Sequence, residues 1–372
     1  MRIITILLFS LFITAHLTAQ SDTTKSVKSP NRLKIIALPL VFYTPDTRLG
    51  VGAGGLLTFN FKSDSIGARR SSVTVGAVYT QLNQLLLYFP FQLFPKNQAY
   101  WVSGEVGYFR YVFNFFGTGN DVDPRYTKQY DIDPKYIEKY SAIFPRVRLN
   151  FAKKIKPNLF LGVRYAFDDF TFTQKDTIGI LKDNQLRGSN GGRVSGVGIQ
   201  TNYDSRDRLF FPTKGWVAEA FVYTEGSYSG SDFSYQRLSA DVSHYQSIGK
   251  NVLALNAVAV LSNGDVPFHQ MPVIGGTKRM RGYFEGKYRD NNLLILQGEY
   301  RFPLYKRFGG VAFGGFGQVS DKLENIASNP IRYNFGAGLR FTLDQAQHIN
   351  IRADYGIGYK STGFYLTVGE AF

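Results

Sequence analysis

The chain contains no cysteine, which excludes disulfides, thiolate metal centres and a lipid-modified N-terminal cysteine. Histidine is scarce: of four, only His244, His269 and His348 lie beyond residue 20. None stands with Ser or Asp in a catalytic spacing, so neither enzymatic activity nor a cofactor is expected. No apolar run after residue 20 reaches the roughly 18 residues that a membrane helix needs. "GTGND", 117–121, has glycines but not the strand-to-helix context of a phosphate loop. The repeated Asp-x-Asp-Pro unit of "DVDPRYTKQYDIDP" aligns Asp121, Asp123, Asp131 and Asp133, yet the Gly and Glu of a calcium loop are missing and no metal is expected there.

What is present starts with a signal. Arg2 precedes an apolar segment from Ile3 to Ile13 and a small-residue region ending at Ala19. This reads as a secretory signal peptide over 1–19, cleaved to leave a chain beginning near Gln20. Residues 20–32 form a short polar periplasmic segment, and 33–372 the folded body. Secretion removes nucleic acid as a partner for the net charge of +15. That charge points instead to a basic, cross-paired lumen and to lipopolysaccharide phosphates.

Aromatic residues make up 16% of the chain, with 24 Tyr, 32 Phe and 38 Gly. Aromatic richness combined with strict alternation is the pattern of a transmembrane β-barrel, whose strands show one face to lipid and the other to water. A soluble β-sandwich is the competing reading. In "NFGAGLRFTL", Phe335, Ala337, Leu339 and Phe341 share one face, and Asn334, Gly336, Gly338, Arg340 and Thr342 the other. In "INIRADYGIGY", Ile351, Ala353, Tyr355, Ile357 and Tyr359 oppose Asn350, Arg352 and Asp354.

Extending the pattern yields an all-β fold, a sixteen-stranded antiparallel transmembrane barrel. Its strands fall near 33–43, 49–62, 70–80, 84–94, 99–110, 141–152, 159–172, 192–204, 215–224, 233–246, 251–261, 291–303, 309–318, 331–342, 348–357 and 363–372. Connections after even-numbered strands are mostly tight ("SIGK", "LYKRF"), whereas several after odd-numbered strands are long and polar. Short periplasmic turns and long external loops belong to an outer-membrane barrel, and a sandwich has no reason to segregate loop lengths. In "RYAFDDFTFTQ" the polar parity switches at Asp168–Asp169, which implies a bulge or exit from the membrane. In the last strand, Phe364, Leu366, Val368 and Phe372 share one face. They look like the C-terminal strand signal of outer-membrane barrels, with Glu370 on that same apolar face.

The long connection after the eleventh strand holds "VIGGTKRMRGYFEGKYRDNN". Within it "MRGY", Met280, Arg281, Gly282 and Tyr283, resembles the sixth-loop motif of the BamA/TamA outer-membrane assembly and two-partner secretion superfamily, the bacterial surface antigen barrels. "DSRDRLFFPTKGW", 204–216, is similar to that family's turn between strands 8 and 9, "GEYRFPL", 298–304, to its strand 12, and the final strand to its C-terminus. The resemblance implies that the loop folds back into the lumen, its Arg meeting inner-wall carboxylates. Alternation places Glu299 and Asp354 inward as candidate partners for Arg281, because a guanidinium in a narrow lumen needs a carboxylate. Gly282 would allow close backbone approach, and Tyr283 would pack on the wall. The family's inward strand-13 Asp is replaced here by Gly315 in "FGGFG", which leaves more to Glu299 and Asp354. Asp204, Arg206, Asp207, Pro212 and Gly215 read as caps of a turn, with a docking surface for periplasmic partners as the second reading.

The family's periplasmic polypeptide-transport-associated domains find no room in residues 20–32, so a barrel-only member is expected. The resemblance implies a role in inserting or translocating polypeptides, or lipids, at the outer membrane, alone or in a complex. It also implies a lateral seam between first and last strands. Pro39 in the first strand and Gly363 and Gly369 in the last are the residues expected to weaken that closure. A solute channel gated by the sixth loop and a structural subunit of a larger complex are the alternatives.

Overall fold

The computed structural model describes residues 33–62, 64, 69–120, 137–176, 179–181, 186–326, 328–345 and 348–372. The signal peptide, residues 20–32 and the Asp121–Asp133 carboxylates lie outside the described residues. The strands are β1 (Lys34–Thr44), β2 (Arg48–Phe59), β3 (Ser71–Thr80), β4 (Leu85–Leu93), β5 (Tyr100–Phe115), β6 (Glu138–Lys156), β7 (Leu159–Lys175), β8 (Gly192–Asp204) and β9 (Gly215–Glu225). They continue as β10 (Tyr235–Ile248), β11 (Asn251–Gly264), β12 (Val273–Ile274), β13 (Tyr288–Arg289), β14 (Asn292–Tyr305), β15 (Phe308–Ser320), β16 (Arg332–Asp344), β17 (Ile349–Gly358) and β18 (Ser361–Val368). Sixteen of them close antiparallel into a barrel in chain order, while β12 and β13 form a separate hairpin inside the connection from β11 to β14.

The period of two decides which side chains line the wall's two faces. Phe335 and Leu339 on β16 are 52% and 56% exposed on the outside, while Asn334 and Arg340 are buried in the lumen. At one end, two-residue turns at 157–158, 249–250 and 306–307 join neighbouring strands. Asn158 takes φ 62° there, the positive value that such turns demand. A wall closed in this way leaves few edges for detergent to attack. The protein should therefore run faster on gels unboiled than boiled, and comigration of the two samples would contradict a closed barrel.

Three details differ from the sequence reading. Asp168 and Asp169 sit in unbroken register opposite β8, with no bulge at that point. The lumen itself changes character there: Asp168 is buried beside Arg146 and Arg148, and Phe170, also inward, stacks on Phe144 at 5.1 Å. The register shift falls farther along, near Ser141/Ala142.

The last strand ends at Val368, not residue 372. Gly369, at φ 85°, turns the chain inward. Glu370 is accordingly not on the apolar face: its carboxylate accepts from Arg340 Nε and Asn350 Nδ2, both at 2.8 Å. Phe372 leaves the outward row of Phe364, Leu366 and Val368 as well, and its carbonyl accepts from Arg301 at 2.9 Å.

The closure is uneven. β1 pairs with β2 through eleven residue pairs, but with β18 only at Tyr43 opposite Leu366. Pro39 faces Ala53 on β2 and has no N–H to donate to a ladder. Because residues 369–372 turn into the lumen, the lower half of β1 has no ladder partner on its β18 side among the described residues.

Candidate functional site

The connection from β11 to β14 enters the lumen and is held there first by packing. Ile274, Met280, Tyr283 and Tyr288 form an apolar cluster with Val258 and Val260 of β11, Leu293 and Ile295 of β14, and Val319 of β15. Burial of each such side chain contributes roughly 1.5–3 kcal/mol. The β12–β13 pairing of Ile274 with Tyr288 closes the neck of the loop.

At its tip, the Arg281 guanidinium donates NH1 to Asp354 of β17 and NH2 to Glu299 of β14. It lies over the Phe313 ring, 3.7 Å from the centroid, and is 2% exposed. Both carboxylates are shared. Arg301 Nε donates to Glu299 at 2.8 Å, Arg340 donates to Asp354, and Arg352 lies 3.4 Å from Asp354. Buried charges of both signs are stable here because each meets an opposite charge, and each carboxylate is shared by more than one guanidinium.

The backbone around the arginine is set by small residues. A Cβ on Gly356 would lie 2.6 Å from the Arg281 carbonyl carbon, and Gly282 faces Gly356 from the other side at φ 113°. The Tyr283 ring fills the space over Gly358, with its hydroxyl donating to Tyr333 O at 2.6 Å. Gly356→Ala should force the loop tip off the wall, costing about 1–3 kcal/mol; limited proteolysis of residues 273–292 would then be faster than in the parent. Gly315 contributes no acid, and Gln297 and Asn334 crowd its vacant side. Those two hold the loop backbone, Gln297 accepting from Met280 N at 3.1 Å and Asn334 donating to Arg281 O at 2.8 Å.

The loop also spans the β1–β18 closure. Glu285 N donates to Asp46 Oδ1 in the β1–β2 turn at 3.1 Å. On the other side of the seam, Lys287 Nζ donates to Lys360 O at 2.8 Å and to Tyr359 O at 3.2 Å. The Tyr365 hydroxyl of β18 accepts from Gly282 N at 2.9 Å and donates to Tyr283 O at 3.0 Å. Burial pushes the Asp46 carboxyl up to about 7, with Glu285 beside it adding to the rise. Phe313, Tyr365, Asn334 and Asp46 were not singled out from the sequence as partners of the loop; inward parity was the signal for the first three, and Asp46, in a turn, had none.

The remaining sequence candidates separate from this centre. Asp204 accepts from Arg206 at 2.9 Å and from Arg69 at 2.9 Å. Asp207 caps Thr213 N and Lys214 N at 2.8 and 3.1 Å. Pro212 is buried, and Gly215 adopts φ 101°, where a Cβ would meet Ser205 O at 2.3 Å. These contacts build the β8–β9 turn. Gly363 stands against the Tyr365 ring, where a Cβ would approach its hydroxyl to 2.6 Å.

A model of the Omp85 superfamily domain matches residues 68–372. Among solved structures, the barrel is similar to BamA from Haemophilus ducreyi lacking POTRA domains 1-3, with TM-score 0.57 and 15% identity over 91% of this chain and 70% of that one. It is similar also to CdiB from Acinetobacter baumannii, with TM-score 0.57 and 14% identity over 90% of this chain and 59% of that one. CdiB from Escherichia coli gives TM-score 0.60 and 11% identity, over 91% and 67%. Identities this low carry the fold alone. The domain match, however, covers most of the chain, including the lumen loop, its carboxylate partners and the final strand, and the chain belongs to the Omp85 superfamily.

Proposed function

We propose that this protein assists the insertion or translocation of polypeptides at the bacterial outer membrane, opening laterally between β1 and β18, without a cofactor or covalent catalysis. The observation that carries the reading is the closure held by one residue pair while a luminal loop clasps both of its sides. Family membership fits the same role. Outward apolar faces would meet outer-membrane lipid, the long loops lipopolysaccharide, and the seam an unfolded outer-membrane or secreted polypeptide, alone or within a larger complex.

A solute channel is disfavoured by the path of the loop. Gln270 donates to Asp168 on β7 at 2.9 Å while Arg281 reaches Asp354 on β17, so the connection is fastened to well-separated parts of the wall. Depletion followed by an outer-membrane proteome tests the proposal: other barrels or secreted proteins should fall in abundance. An unchanged proteome with steady conductance in planar bilayers would put the channel ahead, and an unchanged proteome without conductance the structural subunit.

A further inference from the structure

Over residues 50–56, 72–78 and 86–92, in β2, β3 and β4, neither face of the wall carries a charged side chain. An outer-membrane barrel ordinarily turns apolar residues to lipid and polar ones inward. The outward apolar set is already present in Val51, Val75 and Tyr79, at 50%, 42% and 46% exposed. Leu40, Leu56, Val78, Leu86 and Tyr88, of the opposite parity, make the inner face apolar too. The luminal loop packs its own apolar cluster elsewhere, on β11, β14 and β15.

Among the described residues, a cavity of about 650 Å³ stands in front of this wall, lined by Leu40, Leu56, Val78 and Leu86 together with Thr277 and Glu285 of the luminal loop. A second, of about 570 Å³, shares Leu56, Thr74, Tyr88 and Glu105 with the first and extends to Leu209 and Phe210 in the β8–β9 turn. Tyr88, common to both, keeps 40% of its surface exposed. The charged groups of the adjoining strands are matched among themselves: Arg146 with Asp168 at 2.8 Å and Glu105 at 3.9 Å, and Arg164 with Glu219 at 3.2 Å. Cavities of this size, with apolar walls and few polar groups, are the usual form of a small-molecule site.

We infer that this groove binds an acyl chain of a membrane lipid. The strands behind it have their backbone groups engaged largely in the β1–β2, β2–β3 and β3–β4 ladders. An apolar polypeptide would therefore find few partners there for its own N–H and C=O groups, a cost that hydrocarbon does not incur. The bilayer is also adjacent: Leu40 belongs to the stretch of β1 that has no ladder partner on its β18 side among the described residues. A lipid chain passing there breaks no β1–β18 hydrogen bond. The site goes beyond polypeptide transport and stands without it.

The test reconstitutes the full chain into phosphatidylcholine vesicles containing a phosphatidylcholine with a diazirine in its acyl chain, followed by illumination and mapping of the labelled residues by mass spectrometry. Outward Val51, Val75 and Tyr79 meet surrounding lipid and are labelled in any case, whereas a filled groove requires labelling at inward Leu56, Leu86 and Tyr88 as well. A Cβ on Gly76 would meet only Tyr88 O, at 3.6 Å, so Gly76→Leu projects into the cavity that Gly76 lines without displacing the wall. It should lower inward labelling by about tenfold, the effect of displacing two methylenes from apolar contact. Thr74→Glu, which charges the groove, should lower it similarly. Both variants should remain heat-modifiable, with outward labelling unchanged. Labelling confined to outward residues in the parent, or inward labelling that neither substitution lowers, overturns the site.

Discussion

A disulfide across the seam should abolish activity while leaving the barrel intact. Tyr43 and Leu366 face each other as the single β1–β18 pair, and the Cα separation of an antiparallel pair, about 4.5–5.5 Å, lies within disulfide range. The chain has no native cysteine, so Tyr43→Cys with Leu366→Cys can form only the intended bridge within the chain, and the oxidising cell envelope favours it. One ladder pair supplies on the order of 1–3 kcal/mol of hydrogen bonding. β17 and β18 share eight pairs, from Ile351 opposite Val368 to Gly358 opposite Ser361, so local opening costs least at the β1 side. The control bridge joins Ile199→Cys to Val222→Cys, which face each other on β8 and β9 with both side chains exposed on the outer wall. Locked at the seam, the protein should be heat-modifiable but unable to restore the outer-membrane proteome of depleted cells; bridged at 199–222, it should restore it fully. Full restoration by the seam-locked form rejects lateral opening.

Arg281→Ala should release the luminal loop. The substitution removes the only side chain that joins Glu299 on β14 to Asp354 on β17 through the loop tip, and strips the cation from the Phe313 ring. Losing its two charge-assisted hydrogen bonds costs about 3 kcal/mol or more. Arg301 and Arg340 still neutralise the two carboxylates, so the barrel wall survives and the loss concentrates in the loop. External protease should then cut within 275–290 at least tenfold faster than in the parent, as a local opening free energy lowered by more than 1.4 kcal/mol requires. Arg281→Lys should recover little, because an ammonium cannot bridge two carboxylates in one plane while stacking on an aromatic face. Equal protection of parent and Ala variant would mean that the apolar cluster around Met280, Tyr283 and Tyr288 anchors the loop unaided.

Alternation along the chain was sufficient for the barrel, its strand number and the in-or-out sense of nearly every wall residue, because a strand's side chains follow a period of two whatever surrounds them. The same parity placed Glu299 and Asp354 on the inner face, and composition excluded helical spans. Parity is silent on which inward residues meet across a lumen, since that depends on the stagger of sixteen strands and on the path of a loop with no period of its own. Hence Phe313 beneath Arg281, Asn334 on its carbonyl and Asp46 on Glu285 emerged only from the tertiary structure. The end of β18 was hidden for a related reason. Alternation continues on paper through Glu370 and Phe372, but Gly369 takes a left-handed conformation and carries both into the lumen, where Arg340 and Arg301 supply the partners that lipid cannot. That inward turn shortens β18 and leaves β1 paired with β18 at one position, Tyr43 opposite Leu366, a consequence of where the last strand stops that alternation does not reveal.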